Sequence, residues 1–384
     1  MQRVIILSGV YPDMRCGVSS HTWYVAEELS KNWEVHVLTS KHPAINESMD
    51  RSFELHPRIK RWRVSALPSI VREIERLEPD VVHMQNPTNI YNQRWNFMPG
   101  LLPSFGRRLW KKTRLVVMQH DLAIGHWLMQ RKHAMLLKNA DAVTVSNDRD
   151  YQIAESYVSS NNLFHARVAS HFTPPSFSAE ERQAVRSELK VPDNGVLLVY
   201  FGFVIPSRKL DNLVRAAAIL KKDKVPFKLI LMGGAGPGAE GYLSACKNQT
   251  RELELDDNVE WTGYAQSELI ERTVGVSDLF ISPITRGADF RNSSFLVAAH
   301  GGVPILTTEN PRYGIDRELR ASNICRFFDP EKPAELAKLI MDLWQDHEAR
   351  KRMSEACLKI SKKHSWQEHA RVLSMAFRGD KPDG

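Results

Sequence analysis

The chain has 384 residues, of which 42% are hydrophobic, and a formal net charge of +7; it is long enough for two domains with apolar cores and too apolar for a disordered chain. No run approaches the roughly 18 apolar residues of a membrane-spanning helix, and the apolar start Val4-Ile5-Ile6-Leu7 runs into Gly9 and Pro12 as a first strand does, not as a secretory signal. Four scattered cysteines, Cys16, Cys246, Cys325 and Cys357, lack metal or disulfide spacing, so the expected compartment is reducing and cytoplasmic.

In chain order, a strand over 4–7 leads through a turn at Gly17 into a helix from about Thr22 to Leu29, and a strand over 34–38 completes a β-α-β unit. No G-x-G-x-x-G follows the first strand, and the second ends in Thr39-Ser40 without an acid for a ribose, which excludes the usual dinucleotide fingerprint. Further strands are expected over 80–85, 114–118 and 142–146, each ending in polar residues on one side of the implied sheet; His120-Asp121 closes one of them. Asp148-Arg149-Asp150 is formally a D-x-D, but its place between a strand and a helix predicts acids at a helix start.

Most of the positive charge lies in residues 1–175, which carry +6 of the +7, and it is concentrated between Arg94 and Lys138. Arg107, Arg108, Lys111, Lys112 and Arg114 fall within eight residues and follow the apolar Leu101, Leu102 and Phe105, with Trp110 among them. Two readings stand side by side: a solvated face, or attraction to an anionic membrane surface or phosphate-bearing acceptor, with peripheral contact at the inner membrane face. No nucleic-acid motif accompanies the charge, so nucleic acid is not an expected partner.

Adjacent prolines at 174–175 mark the expected domain boundary. A second β-α-β series begins with a strand over 197–202, a loop carrying Arg208 and Lys209, and a helix over 210–220. A basic pair at a helix start opposes the helix dipole, so a bound anion is the economical explanation. A strand over 228–232 precedes the glycine run 233–238, including Gly234, and a strand over 258–264 ends in Gly263-Tyr264. The strand 279–282 then leads into the polar loop 285–294, followed by an apolar helix over 295–300, Gly301-Gly302, and a strand over 303–308. Loops at the carboxyl ends of parallel strands that feed helix starts are where such folds hold phosphates, which makes Asn292, Ser293 and Ser294 a candidate anion cradle.

These segments resemble, in order, the retaining glycosyltransferases of family 4. Phe201-Gly202-Phe203-Val204-Ile205-Pro206-Ser207-Arg208-Lys209-Leu210-Asp211 is similar to the family's F-G-F-x-x-P-x-K-G-L-D, with Arg208 at the lysine and Lys209 at the glycine. Gly302-Val303-Pro304-Ile305 resembles the ending that follows two Glu eight positions apart, which puts Asp289 at the first acid and Val297 at the second. His120-Asp121, the Gly17 turn, Gly234 and Gly263-Tyr264 also resemble family elements. The resemblance implies an α/β chain of the GT-B fold, two Rossmann-like domains facing a cleft: 1–175 for the acceptor, 176–360 for the nucleotide sugar, and 361–384 as a terminal helix crossing back, with Trp366 in packing.

It further implies transfer from a nucleoside diphosphate sugar, a UDP-sugar ahead of a GDP-sugar, to a hydroxyl on a glycan, lipid-linked or small-molecule acceptor. The anomeric configuration is retained, and neither a metal nor another cofactor takes part. A phosphate oxygen of the donor takes the acceptor proton. His120 and Asp289 orient the sugar, while Gly17, Arg208, Lys209, Gly234, Gly263, Tyr264, Arg291, Asn292, Ser293 and Ser294 contact the donor. Val297 leaves open an inactive sugar-nucleotide or glycan binding protein on the same fold, and the basic window a membrane-surface adaptor.

Overall fold

The computed structural model describes residues 1–11, 17–43, 45, 50–87, 91, 96–106, 110, 112–122, 127–310 and 317–382. The chain divides into two compact units, residues 1–168 with 365–384 and residues 169–364. The first break falls between Val168 and Ala169, ahead of the proline pair, and the second falls between His364 and Ser365.

Among the described residues the first unit is built on a seven-stranded sheet. Its strands are β1 (Arg3–Leu7), β2 (Glu34–Ser40), β3 (Glu54–Ile59), β4 (Val81–Asn86), β5 (Arg114–Gln119), β6 (Ala142–Val145) and β7 (Leu163–His165). They lie in the order β3-β2-β1-β4-β5-β6-β7, all parallel. The second unit carries β8 (Val196–Phe201), β9 (Phe227–Met232), β10 (Val259–Gly263), β11 (Leu279–Ser282), β12 (Ile305–Thr307) and β13 (Cys325–Phe327). Their order, β10-β9-β8-β11-β12-β13, repeats the winding of the first six strands of the first sheet, which adds β7 at one edge, and is again all parallel.

Parallel strands covered by helices on both faces must be apolar along their whole length, and the sequence supplies this: Val4 to Leu7 and Val196 to Tyr200 are all at most 1% exposed. In such sheets the chain leaves the first strand toward one edge and returns to fill the other. The resulting reversal, between β1 and β4 and again between β8 and β11, opens a crevice at the carboxyl ends of the strands.

The elements depart from the sequence reading mostly at their ends. The first helix starts at Gly17, five residues before the expected Thr22. The strand expected over 303–308 shrinks to Ile305–Thr307, because Gly302 turns the chain with a positive φ of 65° and Pro304 has no N–H for a ladder. Asp148 and Asp150 do open a helix, Asp148–Ala154, but its cap is Asn147, whose side chain accepts from the Asp150 amide. The terminal helix Trp366–Arg378 belongs to the first unit. There Trp366 stacks on Tyr24 at 5.4 Å and 16°, and Trp33 meets Phe377 edge-on at 5.3 Å.

Candidate functional site

The carboxyl edge of the second sheet gathers most of the residues singled out in that half of the chain. After β8 the Gly202 amide donates to Met232 O (3.0 Å), and the Gly233 amide donates to Gly263 O (2.8 Å), so three consecutive strand ends are laced together. Gly233 has a positive φ of 153°, and a Cβ there would lie 1.9 Å from Gly202 O. Only glycine permits this approach. Phe203 and Tyr264, at the ends of β8 and β10, are 58% and 72% exposed, unusual for rings of this size.

Arg208 ends a 3₁₀ turn, Pro206–Arg208. Its guanidinium is desolvated, and Nη1 is buried with no hydrogen-bond partner. Burial pulls its pKa below the usual arginine value, Tyr200 opposes that shift, and Arg286 adds to it. Two guanidinium groups therefore influence one another without a carboxylate between them. The Thr285 amide donates to Ser207 O (3.0 Å), which fastens the Arg208 turn to the loop after β11. A buried, unsatisfied cationic donor is costly unless something binds it.

Lys209 follows Arg208 as the C-cap of the same 3₁₀ turn. It adopts the left-handed conformation, φ 45° and ψ 41°, as N-cap of the helix Leu210–Lys222 without a side-chain cap bond. Its backbone thus still has the shape that favours glycine. Its ammonium pairs with Glu331 at 2.7 Å, which raises its pKa, so it is not the second free cation beside Arg208. Asp289 and Arg291, read from the sequence as separate contacts, form one ion pair. Asp289 Oδ1 accepts from the Arg291 amide (2.9 Å) and Oδ2 from Nε and Nη2 (3.1 and 2.6 Å).

Asn292 caps the helix Ser293–His300, again without a side-chain bond, and accepts through its carbonyl from the Phe295 and Leu296 amides. Ser294 is buried, and Val297, at the second-acid position, is 0% exposed. Gly263 has a positive φ of 69°. Around Gly234 a Cβ would meet only the Tyr264 amide, at 4.0 Å, and around Gly17 it would meet nothing. Among the described residues no contact therefore demands glycine at Gly17.

The first unit presents a carboxyl edge of another kind. His120 lies beyond β5, and its Nε2 donates to Gln85 Oε1 (2.5 Å), while the amide of the same glutamine meets His83 Nε2 at 3.0 Å. Beside this pair Asn86 donates to Gln119 (2.7 Å). His21 packs edge-on against His120 (4.9 Å) and His369 (4.8 Å), and His369 Nδ1 donates to Arg167 O (2.8 Å). Burial first, and the neighbouring imidazoles second, push His21 well down and His83 to about 3; burial takes His369 to about 4 against the opposing effect of its bond to Arg167 O. His21, His83 and His369 are therefore neutral at physiological pH. Only His120 was visible in the sequence. The i, i+2 spacing of His83 and Gln85 on one strand face was the available signal for a polar cluster there.

Of the basic window, Arg107, Arg108 and Lys111 lie outside the described residues. Lys112 is exposed, but the Arg114 guanidinium turns inward, with Nε donating to Ala376 O (2.8 Å) and Nη2 to Asp141 O (3.3 Å). Leu102 and Trp110 are buried, and Phe105 is 43% exposed. Over 101–114 Lys112 is thus the exposed cation and Phe105 the exposed ring among the described residues, while Arg131, Lys138 and Trp127, later in the window, are exposed too.

Two all-parallel sheets with the same winding over six strands, one edged by a guanidinium whose Nη1 has no partner and the other by buried neutral imidazoles, define a two-unit α/β fold. Two family models match the chain: "Glycosyl transferases group 1" over residues 181–359 and "Glycosyltransferase Family 4" over residues 16–157. The chain belongs to the family 4-like glycosyltransferases of the GT-B fold. The fold is also that of a glycosyltransferase from Rickettsia africae (TM-score 0.77, 15% identity, 98% of each chain) and of Anabaena HepE in complex with UDP (TM-score 0.73, 14% identity, 98% of this chain and 100% of that one). In sequence it is similar to the alpha-monoglucosyldiacylglycerol synthase of Streptococcus pneumoniae (26% identity over 36% of this chain) and the D-inositol 3-phosphate glycosyltransferase of Corynebacterium efficiens (23% over 54%). The matches span 30% and 47% of those relatives, half their length or less. No helix among the described residues is long and apolar enough to cross a membrane.

Proposed function

We propose that the protein transfers a sugar from a nucleoside diphosphate sugar to a hydroxyl acceptor with retention of configuration, and that no metal takes part in the transfer. The observation that carries this reading is the buried Nη1 of Arg208, which has no partner, with Arg286 as its charged neighbour. A diphosphate supplies the missing acceptors and the missing charge. As the donor's C–O bond breaks, negative charge grows on the β-phosphate, and a guanidinium already fixed in a desolvated site stabilises it with little reorganisation. The amides at the start of the helix Ser293–His300 add to this.

The exposed rings of Phe203 and Tyr264 offer faces to a base, and uracil is favoured by the likeness to Anabaena HepE in complex with UDP. Asp289 orients the sugar once Arg291 shares its carboxylate with the donor. The neutral edge around His120 suits an uncharged sugar or acceptor hydroxyl, since imidazole and amide groups both donate and accept. The donor's own phosphate oxygen takes the acceptor proton. The protein works in the cytoplasm, where such donors are made available. A thermal-shift screen against UDP, GDP, ADP and their sugars tests the reading, because a ligand of the native state raises its stability by mass action. One diphosphate series should raise the melting temperature, and the matching sugar nucleotide should be consumed. Binding without consumption of any sugar nucleotide in the presence of acceptor would leave an inactive binding protein.

A further inference from the structure

The outer edge of the first sheet carries a second cluster, at the opposite end of its strands from His120. The register pairs His36 of β2 with Glu54 of the edge strand β3, and Leu38 with His56, so His56 follows Glu54 on the same strand face. His36 Nδ1 lies 2.9 Å from His56 Nε2 and 3.4 Å from Glu54 Oε2, and His56 Nε2 lies 3.6 Å from the same oxygen. The imidazoles are nearly buried, with side chains 5% and 9% exposed, while Glu54 is 69% exposed.

We propose that His36 Nδ1, His56 Nε2 and Glu54 Oε2 bind a divalent transition ion of the zinc class, with solvent completing the fourth position. Zinc bonds of about 2.0–2.1 Å in a tetrahedron place neighbouring ligand atoms about 3.3 Å apart, and the three separations here bracket that value. The orientation of His36 supports the assignment. Its Nε2 lies 3.2 Å from Glu34 Oε1, and the same oxygen is held by Arg3 Nε and Nη2 at 2.9 and 2.7 Å. A carboxylate that accepts the far N–H of a histidine fixes the tautomer with its lone pair toward the ion, the usual outer partner of a metal ligand. Without an ion, one proton bridges His36 Nδ1 and His56 Nε2. The ion takes the place of that proton, which moves to His56 Nδ1.

The nearby charges are already matched: Arg58 pairs with Glu73 at 3.2 Å, and Arg3 with Glu34. Glu54 is thus the acid left for the ion. The site lies three to four strands from β5 in a sheet of about 4.8 Å spacing, so its role is to fasten β3 to β2, not to act on the sugar.

The test uses the full chain with any purification tag removed and with bound metals stripped by a chelator. Calorimetry with zinc chloride should show one ion per chain, and cobalt(II) should develop the strong visible bands of a four-coordinate ion. Zinc should raise the melting temperature, and magnesium should not. Glu54→Gln, at an exposed side chain that the fold does not need, should weaken binding at least tenfold, and His56→Gln should abolish the cobalt bands. No uptake by the wild type overturns the proposal. So does a pale six-coordinate cobalt spectrum, or uptake unchanged in both variants, since either means surface binding elsewhere.

Discussion

The two sheets share one winding order, yet their carboxyl edges differ in charge. In the second unit the edge leaves a guanidinium donor of Arg208 buried and unmatched, so the fold alone is electrostatically incomplete there. The first unit instead buries His21, His83 and His369 in neutral form and links His83 and His120 through Gln85. One topology thus yields an edge with an unsatisfied cationic donor and an edge lined by buried neutral imidazoles. Topology fixes where a ligand can sit in such a sheet, whereas a few side chains at the strand ends decide which ligand it is.

Acid should break this contrast with the largest effect. His83 and His369 have folded pKa values of about 3 and 4, below the unfolded value of about 6.5. Unfolded chains therefore take up protons that the folded first unit refuses. The contribution of these residues is complete above pH 6.5 and is lost as the pH falls toward the folded values, at about 1.4 kcal/mol per pH unit for each. Melting curves from pH 7 to 4.5 should show a steep loss, and His369→Gln should remove about one proton from the slope. A flat profile would mean that the imidazoles are not buried as described.

Next in size, Asp289→Asn should lower turnover on the order of a hundredfold through lost orientation of the sugar, while affinity for bare UDP changes little. Steady-state rates and calorimetry separate the two, and equal losses would move Asp289 from the sugar to the phosphate or ribose. The smallest effect is expected at the basic window. With Arg114 tied to Ala376 and Asp141, Lys112→Glu should weaken sedimentation with anionic liposomes by about 1 kcal/mol, and only at low salt. Unchanged sedimentation, or none by the wild type, would leave the window a solvated face and point to a free small molecule as acceptor.

The strands around both edges were legible because parallel, doubly covered strands must be apolar runs, as at 196–201. The edge strand β3 was not, since Glu-Leu-His-Pro-Arg-Ile contains a proline and three polar residues that only an edge position accommodates. Arg208 could be read from its place before a helix, a purely local signal. The pairing of Lys209 with Glu331 and the meeting of His21, His83, His120 and His369 could not, because these partners are far apart in sequence and their contacts depend on the folded sheet.

The central claim, that the second unit's edge is completed by a diphosphate, rests on Arg208. Calorimetric titration of UDP into the wild type and Arg208→Ala, each first shown to have the same circular dichroism, tests it directly. Loss of one charge-assisted contact should weaken binding by about 1.5–3 kcal/mol, with the fold of the free protein preserved and its melting temperature not lowered. Equal UDP affinity in the two proteins would contradict the account.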